Sequence, residues 1–351
     1  VSAAGAATVA SSWGSAAGNG TVGIFALGTV TGPTLSTTRD KYTYSGDVVS
    51  AGGAATAASA YGSAAGNSTT GIFALGCTGS ISTTRNKYTY SGCVVSAGGA
   101  ATAASYWGSA AGNSTTGIFA LGSGLTVFTA TRDKYTYSGD VVSAGGAATV
   151  ESAASSAAGN STVGIFALGC SSNFSFSGST TREKYTYSGD VVSAATASTA
   201  ASAYGSAAGT NTFGIFALGY GSAYLTTREK YTYSGDVVSA ATAATAASSC
   251  GSAAGNSTVG IFALGCVAGP RVTTRNKYTY SGCVVAAGGA ASVCGAYGSA
   301  AGNSTVGIFA IGYPASGVRE KYTYSNCVVA AGGACLLYTS DAADEGLGVD
   351  L

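Results

Sequence analysis

The hexapeptide GIFALG, at residues 23–28, recurs along the chain and is the strongest indication of the fold. It begins again, with one variant GIFAIG at the end, at Gly71, Gly117, Gly164, Gly214, Gly260 and Gly307. A second stretch, KYTYS, also occurs seven times, first from Lys41. Successive GIFALG starts lie 46 to 50 residues apart. Units of this size are too small to bury a core alone, so we expect the seven repeats to stack into one body.

Each repeat has the pattern of four short antiparallel strands. In the second repeat, the small residues from Ala54 to Gly66 predict the first strand, which would lie nearest the ring axis. GIFALG places apolar side chains on both faces, Ile72 on one and Phe73 on the other, so both faces should be covered. KYTYS and the pair Val94-Val95 complete the unit. The pattern predicts an all-β protein, a seven-bladed β-propeller over residues 1–334 with four antiparallel strands per blade.

The composition excludes several kinds of site. There is no His, which removes the commonest general base and metal ligand. The nine cysteines form no CxxC pair, so we expect free thiols rather than a zinc site. We accordingly expect no metal and no cofactor. The longest apolar stretches fall short of the ~20 residues that cross a bilayer, so no membrane span is expected.

The two ends of the sequence depart from the repeat pattern. The opening VSAAGAAT matches the interior of later repeats, so we expect the sequence to begin within a repeat. Residues 335–351 match no repeat, and their segment LLYTSDAADE resembles the translation of a sequencing-library adapter. We expect this tail to be either disordered or such an artefact.

The order of small-residue strand, GIFALG, loop, KYTYS and turn resembles bacterial kelch-type propeller repeats. The resemblance covers residues 1 to about 334 and implies the propeller fold. The chain departs from that pattern at three points. A single glycine, Gly28 and its equivalents, stands where kelch repeats carry two; Val48-Val49 replaces the usual tryptophan of the fourth strand; and Ala or Ser replaces the family's arginine before the first strand.

Every repeat also carries Arg-x-Lys, first at Arg39 and Lys41. In a closed ring these residues would form two circles of positive charge, suited to a polyanion or an anionic glycan. The alternative, which we favour, is a structural ladder that pairs them with Asp or Glu of the same or the next blade. The residue between them is acidic in five repeats. In the second and sixth repeats, the residue between Arg and Lys is Asn. In these two repeats a cysteine, Cys93 or Cys283, also replaces the aspartate that follows the Ser-Gly turn in other repeats.

The loops after GIFALG vary while the framework hardly changes, which is typical of a recognition surface on a rigid scaffold. All seven loops should emerge on one face. Aromatic and arginine side chains in them are our candidate binding residues; they are Phe128, Phe174, Phe176, Tyr220, Tyr224, Arg271 and Tyr313. Neutral variation of unconstrained loops is the other explanation, and the sequence leaves both open.

These patterns favour a non-catalytic propeller scaffold that recognises a protein or carbohydrate partner through those loops. We expect no specific nucleic acid partner and a monomeric protein, and we favour an extracellular or cell-surface location. The alternative is a propeller enzyme that acts on glycans, of hydrolase, lyase or mutarotase type. For that alternative, Glu151 facing the axis is the acid to examine, and Trp13 and Trp107 are either packing residues or a sugar platform.

Overall fold

The computed structural model describes residues 5–26, 28–30, 34–74, 76–120, 122–124, 126–167, 169–170, 178–217, 219–263, 265–267, 270–325 and 328–331. They form seven four-stranded antiparallel sheets, whose inner strands contact one another in a closed ring. The predicted all-β, seven-bladed β-propeller is confirmed. Nothing in these ranges is a helix long and apolar enough to cross a membrane. The 335–351 tail lies outside the described residues.

The blades follow one another in chain order, each as a simple meander. The innermost strands are β1 (Ser15–Gly18), β5 (Ser63–Gly66), β9 (Ser109–Gly112), β13 (Ser156–Gly159), β17 (Ser206–Gly209), β21 (Ser252–Gly255) and β25 (Ser299–Gly302). The second strands are β2 (Val22–Ala26), β6 (Thr70–Ala74), β10 (Thr116–Ala120), β14 (Val163–Ala167), β18 (Phe213–Ala217), β22 (Val259–Ala263) and β26 (Val306–Ala310). The third strands are β3 (Arg39–Thr43), β7 (Arg85–Thr89), β11 (Arg132–Thr136), β15 (Arg182–Thr186), β19 (Arg228–Thr232), β23 (Arg275–Thr279) and β27 (Arg319–Thr323). The outermost strands are β4 (Val48–Gly52), β8 (Val94–Ala97), β12 (Val141–Ala144), β16 (Val191–Ala195), β20 (Val237–Ala241), β24 (Val284–Gly288) and β28 (Val328–Ala331).

The first strand of each blade is shorter than its small-residue run predicts. In blade 2 only Ser63–Gly66 pairs with the second strand, whereas the prediction began at Ala54. The preceding residues cross from the outer edge of one blade to the centre of the next. The Thr56 backbone N–H there donates to the Asn86 side chain instead of a neighbouring strand. Small residues suit this crossing as well as a strand, which is why the pattern overestimated the strand.

GIFALG packs between two blades, as its two apolar faces predict. Ile72 and Phe73 are completely buried, and they face opposite neighbours. The two glycines of the motif have separate steric reasons. A Cβ at Gly23 would lie 2.8 Å from the Tyr44 hydroxyl oxygen. Gly28 has φ of +65° and lies against the Ser12 carbonyl. Both positions therefore require glycine.

We call the interface between consecutive blades a seam, numbered by the two blades that form it. At every seam a fully buried arginine of the third strand reaches into the next blade. In seam 2/3, Arg85 Nη2 donates to Asp133 Oδ2 over 2.7 Å, and its guanidinium lies 4.8 Å above the centre of the Phe119 ring. Thr102 donates to the same carboxylate through its backbone N–H and its hydroxyl. The buried guanidinium of Arg85 thus has its carboxylate partner and its aromatic partner in the next blade.

A second, partly exposed ladder of lysines runs parallel to the arginines. Lys87 and Asp140 pair at 2.8 Å in seam 2/3, and the equivalents pair in seams 3/4, 4/5 and 7/1. The structural explanation of the repeated Arg-x-Lys is therefore confirmed for the arginines, which are buried and not available as a positive surface. Of the lysines in the described ranges, those of the four named pairs make ion pairs with an acid.

The ring closes without a strand shared between the first and last repeats. In the described residues, all four strands of blade 7 come from the last repeat. Seam 7/1 instead repeats the contacts of the other seams: Arg319 pairs with Asp40 at 2.7 Å and Lys321 with Asp47 at 2.8 Å.

On the face opposite the GIFALG loops, the turns before the second strands form a further set of bridges. The Asn67 side chain accepts from the backbone N–H groups of Thr69 and Thr70 and donates 2.9 Å to the Ser114 carbonyl of the next blade. Six asparagines make this bridge, and they are Asn19, Asn67, Asn113, Asn160, Asn256 and Asn303. This confirms their interpretation as turn residues. Blade 5 has Thr210 at the position.

The seven described cysteines are free, as predicted; they are Cys77, Cys93, Cys170, Cys250, Cys266, Cys283 and Cys294.

Removing the ring of Phe73 tests the packing of the seams. We expect Phe73→Ala to lower the free energy of unfolding by roughly 3–5 kcal/mol, because it leaves a cavity and removes the ring beneath Arg39. The measurement is chemical denaturation. The control Val141→Ala truncates a side chain that is 56% exposed and should change stability by less than about 0.5 kcal/mol. Equal effects of the two variants would contradict a packed seam.

The lysine ladder predicts a pH dependence of stability. Partial burial would raise the pKa of Asp236, but hydrogen bonds from Lys184 and Tyr231 and the charge of Lys184 outweigh it, so the pKa is lowered. A lowered pKa means that the carboxylate stabilises the fold above the unfolded-state value of about 3.9, and that this contribution is lost as pH falls through the folded-state value.

Wild type should therefore exceed Asp236→Asn in unfolding free energy by up to about 1 kcal/mol at pH 7, with the difference vanishing in acid. Denaturant melts from pH 7 to pH 3 measure it. A difference that stays constant over this range would refute the ion-pair explanation.

Candidate functional site

The backbone closes on itself around the ring axis, just before each innermost strand. One residue from each blade takes part, and we call these seven residues the axial cup: Trp13, Tyr61, Trp107, Ala154, Tyr204, Cys250 and Tyr297. The backbone N–H of each donates to the carbonyl of its counterpart in the preceding blade over 2.9–3.1 Å, and Trp13 closes the circle onto Tyr297. All seven have φ between 54° and 60°. This strained conformation is held in place by the complete hydrogen-bonded circle.

The cup is an open depression of about 240 Å³ with an aromatic lining. Trp13 stacks on Tyr297 with ring centres 3.6 Å apart and meets Tyr61 on its other side at 4.8 Å. Tyr61 meets Trp107 edge to face at 6.0 Å. Trp107 contacts Tyr204 at 6.5 Å across the position of Ala154. Five half-buried rings thus form a continuous arc, and the gap in the arc lies at Cys250.

The described residues that line the cup are uncharged near neutral pH. They are the seven cup residues, six glycines that follow them in the chain, and Ser155. Burial raises the pKa of Tyr61, Tyr204 and Cys250 above their ordinary values, so these groups keep their protons. A ligand in the cup would meet apolar ring faces, hydroxyls and backbone, without a cation or a carboxylate.

The variable loops emerge around the rim of the cup. Thr29, which follows the first GIFALG, bridges to Ser12, the residue before Trp13. The same bridge joins Ala60 to Cys77 and its equivalents in the other blades. We call this end of the ring the loop face. Cup and loops therefore share one surface, as the prediction of a single loop face required.

The structure brings four of the candidate binding residues together in two pairs. Tyr220 and Tyr224 meet edge to face at 5.1 Å within the loop of blade 5. The Arg271 guanidinium, from the loop of blade 6, lies 4.5 Å above the ring of Tyr313 in blade 7. Tyr313 is 47% exposed.

The remaining candidates are placed differently or not at all. Phe128 is only 7% exposed and packs with Ala153, Cys170 and Ala203 beneath the loops. It supports the loop face from below and offers little surface to a partner. Phe174 and Phe176 lie outside the described residues.

Glu151, the acid proposed for the enzyme alternative, does not face the axis. It is exposed and is absent from the lining of the cup. Trp13 and Trp107 do line the cup, where they both pack on neighbouring rings and present a surface. No group of three or more Cys, Asp or Glu side chains in the described ranges could hold a metal ion.

Sequence reasoning missed Tyr61, Tyr204 and Tyr297 as site residues. The sequence does carry a signal. The SAAG strand is the same in every blade, but the residue two positions before it, separated from it by one Gly or Ser, changes from blade to blade. The prediction placed these residues inside a strand, where such changes suggest packing. Only the closed circle shows that all seven converge on the axis.

No protein-family model matches the chain, and no curated protein matches it either. Among solved structures the chain is similar to one titled "Structure of YjhT", with 11% identity and a TM-score of 0.61 over 82% of this chain and 99% of that chain. A likeness at this identity shows the propeller fold alone. The kelch-type repeat remains a resemblance.

Truncating side chains on the loop face can distinguish a residue that stabilises the loops from one that is exposed for binding. We expect Phe128→Ala to lower the unfolding free energy by about 3 kcal/mol, because it empties a buried position. Tyr313→Ala should cost less than about 0.5 kcal/mol, because nearly half of that side chain is exposed. Thermal or denaturant unfolding of both variants measures this. A reversed order would mean that Phe128 does not support the loops.

Proposed function

We propose that this protein is a non-catalytic recognition scaffold that binds its partner on the loop face, with the axial cup at the centre of the contact. The observation that carries the proposal is the arc of five half-buried aromatic rings on the same face as the variable loops. Binding sites typically combine a largely apolar concave lining with a few polar groups. A framework whose largest variation lies in the loops of this face fits a scaffold of the kelch type.

A carbohydrate partner fits the cup better than a protein segment. Aromatic rings with hydroxyl edges, such as Tyr61 and Tyr204, offer an apolar face and a polar rim. A sugar ring has the same division, with C–H groups on one face and hydroxyls around its edge. Because no cation lines the cup in the described part of the chain, an uncharged saccharide is favoured over an acidic one. The loop pairs Tyr220–Tyr224 and Arg271–Tyr313 would contact the parts of the partner beyond the axis.

The scaffold is favoured over a glycan-acting enzyme by the chemistry of the cup. General acid–base catalysis needs a titratable group within hydrogen-bond reach of the substrate. Among the described residues, the lining of the cup holds no carboxylate, lysine or arginine, and its tyrosines and its cysteine have raised pKa values.

The test is a glycan array that contains neutral, sialylated and sulfated oligosaccharides, followed by titration of the best neutral ligand. Trp107→Ala and Tyr61→Ala should each weaken binding at least about tenfold, the scale of losing an aromatic anchor. Both variants should fold, because Ala154 already occupies the equivalent position with the same backbone conformation. Circular dichroism and denaturant melts verify this.

Tyr224→Ala should weaken binding as well if the loops contribute, while Val237→Ala on the outer strand is the matched control and should have no effect. Unchanged affinity in both cup variants would refute the axial site. Selective binding of acidic glycans alone would contradict the uncharged ligand class.

A further inference from the structure

The net positive charge of the ring is concentrated at three seams. Residues 1–334 hold 15 basic and 10 acidic residues, an excess of five positive charges. At most seams an arginine and a lysine meet two acids, and these seams are neutral. Seam 5/6 places Arg228 and Lys230 opposite Asn276 and Cys283, so two cations face no acid. Seam 1/2 has the same substitutions, Asn86 and Cys93, and seam 6/7 lacks one acid.

Lys230 is the cation at seam 5/6 that remains accessible. Arg228 is fully buried and donates 2.9 Å to the Asn276 side chain. The half-buried Lys230 ammonium instead lies 4.4 Å above the ring of Phe213. It makes no ion pair with any carboxylate in the described part of the chain. Its three N–H donors therefore lack the acceptor that Asp236 gives Lys184 one seam earlier.

A groove opens on the face opposite the axial cup. Lys230 is not one of its lining residues, but its ammonium contacts the ring of Phe213, which does line the groove. The groove encloses about 390 Å³ and is lined by the turns of blades 5 and 6, with Thr210, Asn211, Thr212 and Phe213 on one side and Ser257, Thr258, Tyr280 and Ser281 on the other. Five of these eight side chains carry an aliphatic hydroxyl. Phe213 and Tyr280 meet edge to face at 5.2 Å within the groove.

The groove exists because blade 5 departs from the repeat at two positions. Thr210 replaces the asparagine that bridges the other seams. Its hydroxyl makes hydrogen bonds only to Thr212 and Phe213 of its own turn among the described residues, so it makes no bridge to Ser257 of the next blade. Phe213 replaces the Val or Thr that begins the other second strands. Seam 1/2 carries the same charge, but there Asn19 bridges to the Ser68 carbonyl and Lys41 donates to Cys93 Sγ over 3.3 Å.

From this combination we propose that the groove at seam 5/6 binds an oxyanion, a carboxylate or a sulfate, on Lys230. The anion takes the place of the aspartate that blade 6 lacks, and the hydroxyls of the two turns donate to its remaining oxygens. Phe213 keeps the lysine beside the groove when the site is empty, through a cation–π contact. This site is separate from the axial cup and does not depend on the function proposed for it.

The experiment measures binding of two probes to the full chain at constant ionic strength, by equilibrium dialysis. Inorganic sulfate presents the bare oxyanion, and glucuronate presents a carboxylate on a sugar ring. We expect one saturable site per chain for at least one probe. A preference for glucuronate identifies an acidic saccharide as the ligand class, and a preference for sulfate identifies a free or esterified sulfate.

Two variants decide whether Lys230 carries the site. Lys230→Met removes the positive charge. Cys283→Asp introduces the aspartate that four other blades have at this position, and its carboxylate would form an ion pair with Lys230. Each should weaken binding at least about tenfold. The matched control Cys93→Asp makes the same restoration at seam 1/2 and should leave affinity within about twofold.

Loss of binding in Cys93→Asp as well would indicate general charge attraction and overturn the proposal. Unaltered binding in Cys283→Asp, or no saturable binding of either probe to wild type, would overturn it too. Because Cys283→Asp reproduces the residue found in blades 1, 3, 4 and 5, folding of that variant is expected and can be verified by its denaturant melt.

Discussion

The architecture depends on the arginine that each blade buries in the next. Removing a guanidinium from water costs several kcal/mol, and only well-placed acceptors offset that cost. Arg85 finds its carboxylate and its aromatic ring entirely in blade 3, and Arg319 finds them in blade 1. A single blade would therefore expose the Phe and Ile faces of GIFALG and leave its acidic residue without its cation. The seams make the blades interdependent, and the last seam makes the ring closed.

This framework explains which positions are free to change. Side chains inside a seam serve two blades at once, so the repeats keep GIFALG and KYTYS nearly to the letter. The axial cup and the loops around it have solvent on one side, and there each blade differs: Trp107 and Ala154 stand at neighbouring cup positions on the same backbone. Function in such a molecule resides in the departures from seven-fold symmetry.

Two kinds of departure occur, on opposite ends of the ring. On the loop face the changes add aromatic surface around an uncharged depression. On the opposite face, the changes in blades 5 and 6 remove a bridging asparagine and two acids and leave Lys230 beside an open groove. The repeats that keep the common residues supply the comparison: six blades show the asparagine bridge and four seams show the lysine–aspartate pair.

The amino-acid pattern was sufficient to predict the number of blades, their strand order and the two-sided burial of GIFALG, and it favoured a structural use of Arg-x-Lys. These features follow from short-range periodicity that is repeated seven times, and repetition removes ambiguity. The packing of the blades shows that Phe128 lies beneath the loops, that Glu151 is exposed outside the lining of the cup, and that Tyr61, Tyr204 and Tyr297 meet around the axis. The reason is that residues about 47 positions apart in the sequence converge on the ring axis. A local sequence pattern does not specify which residues at the end of a strand face that axis.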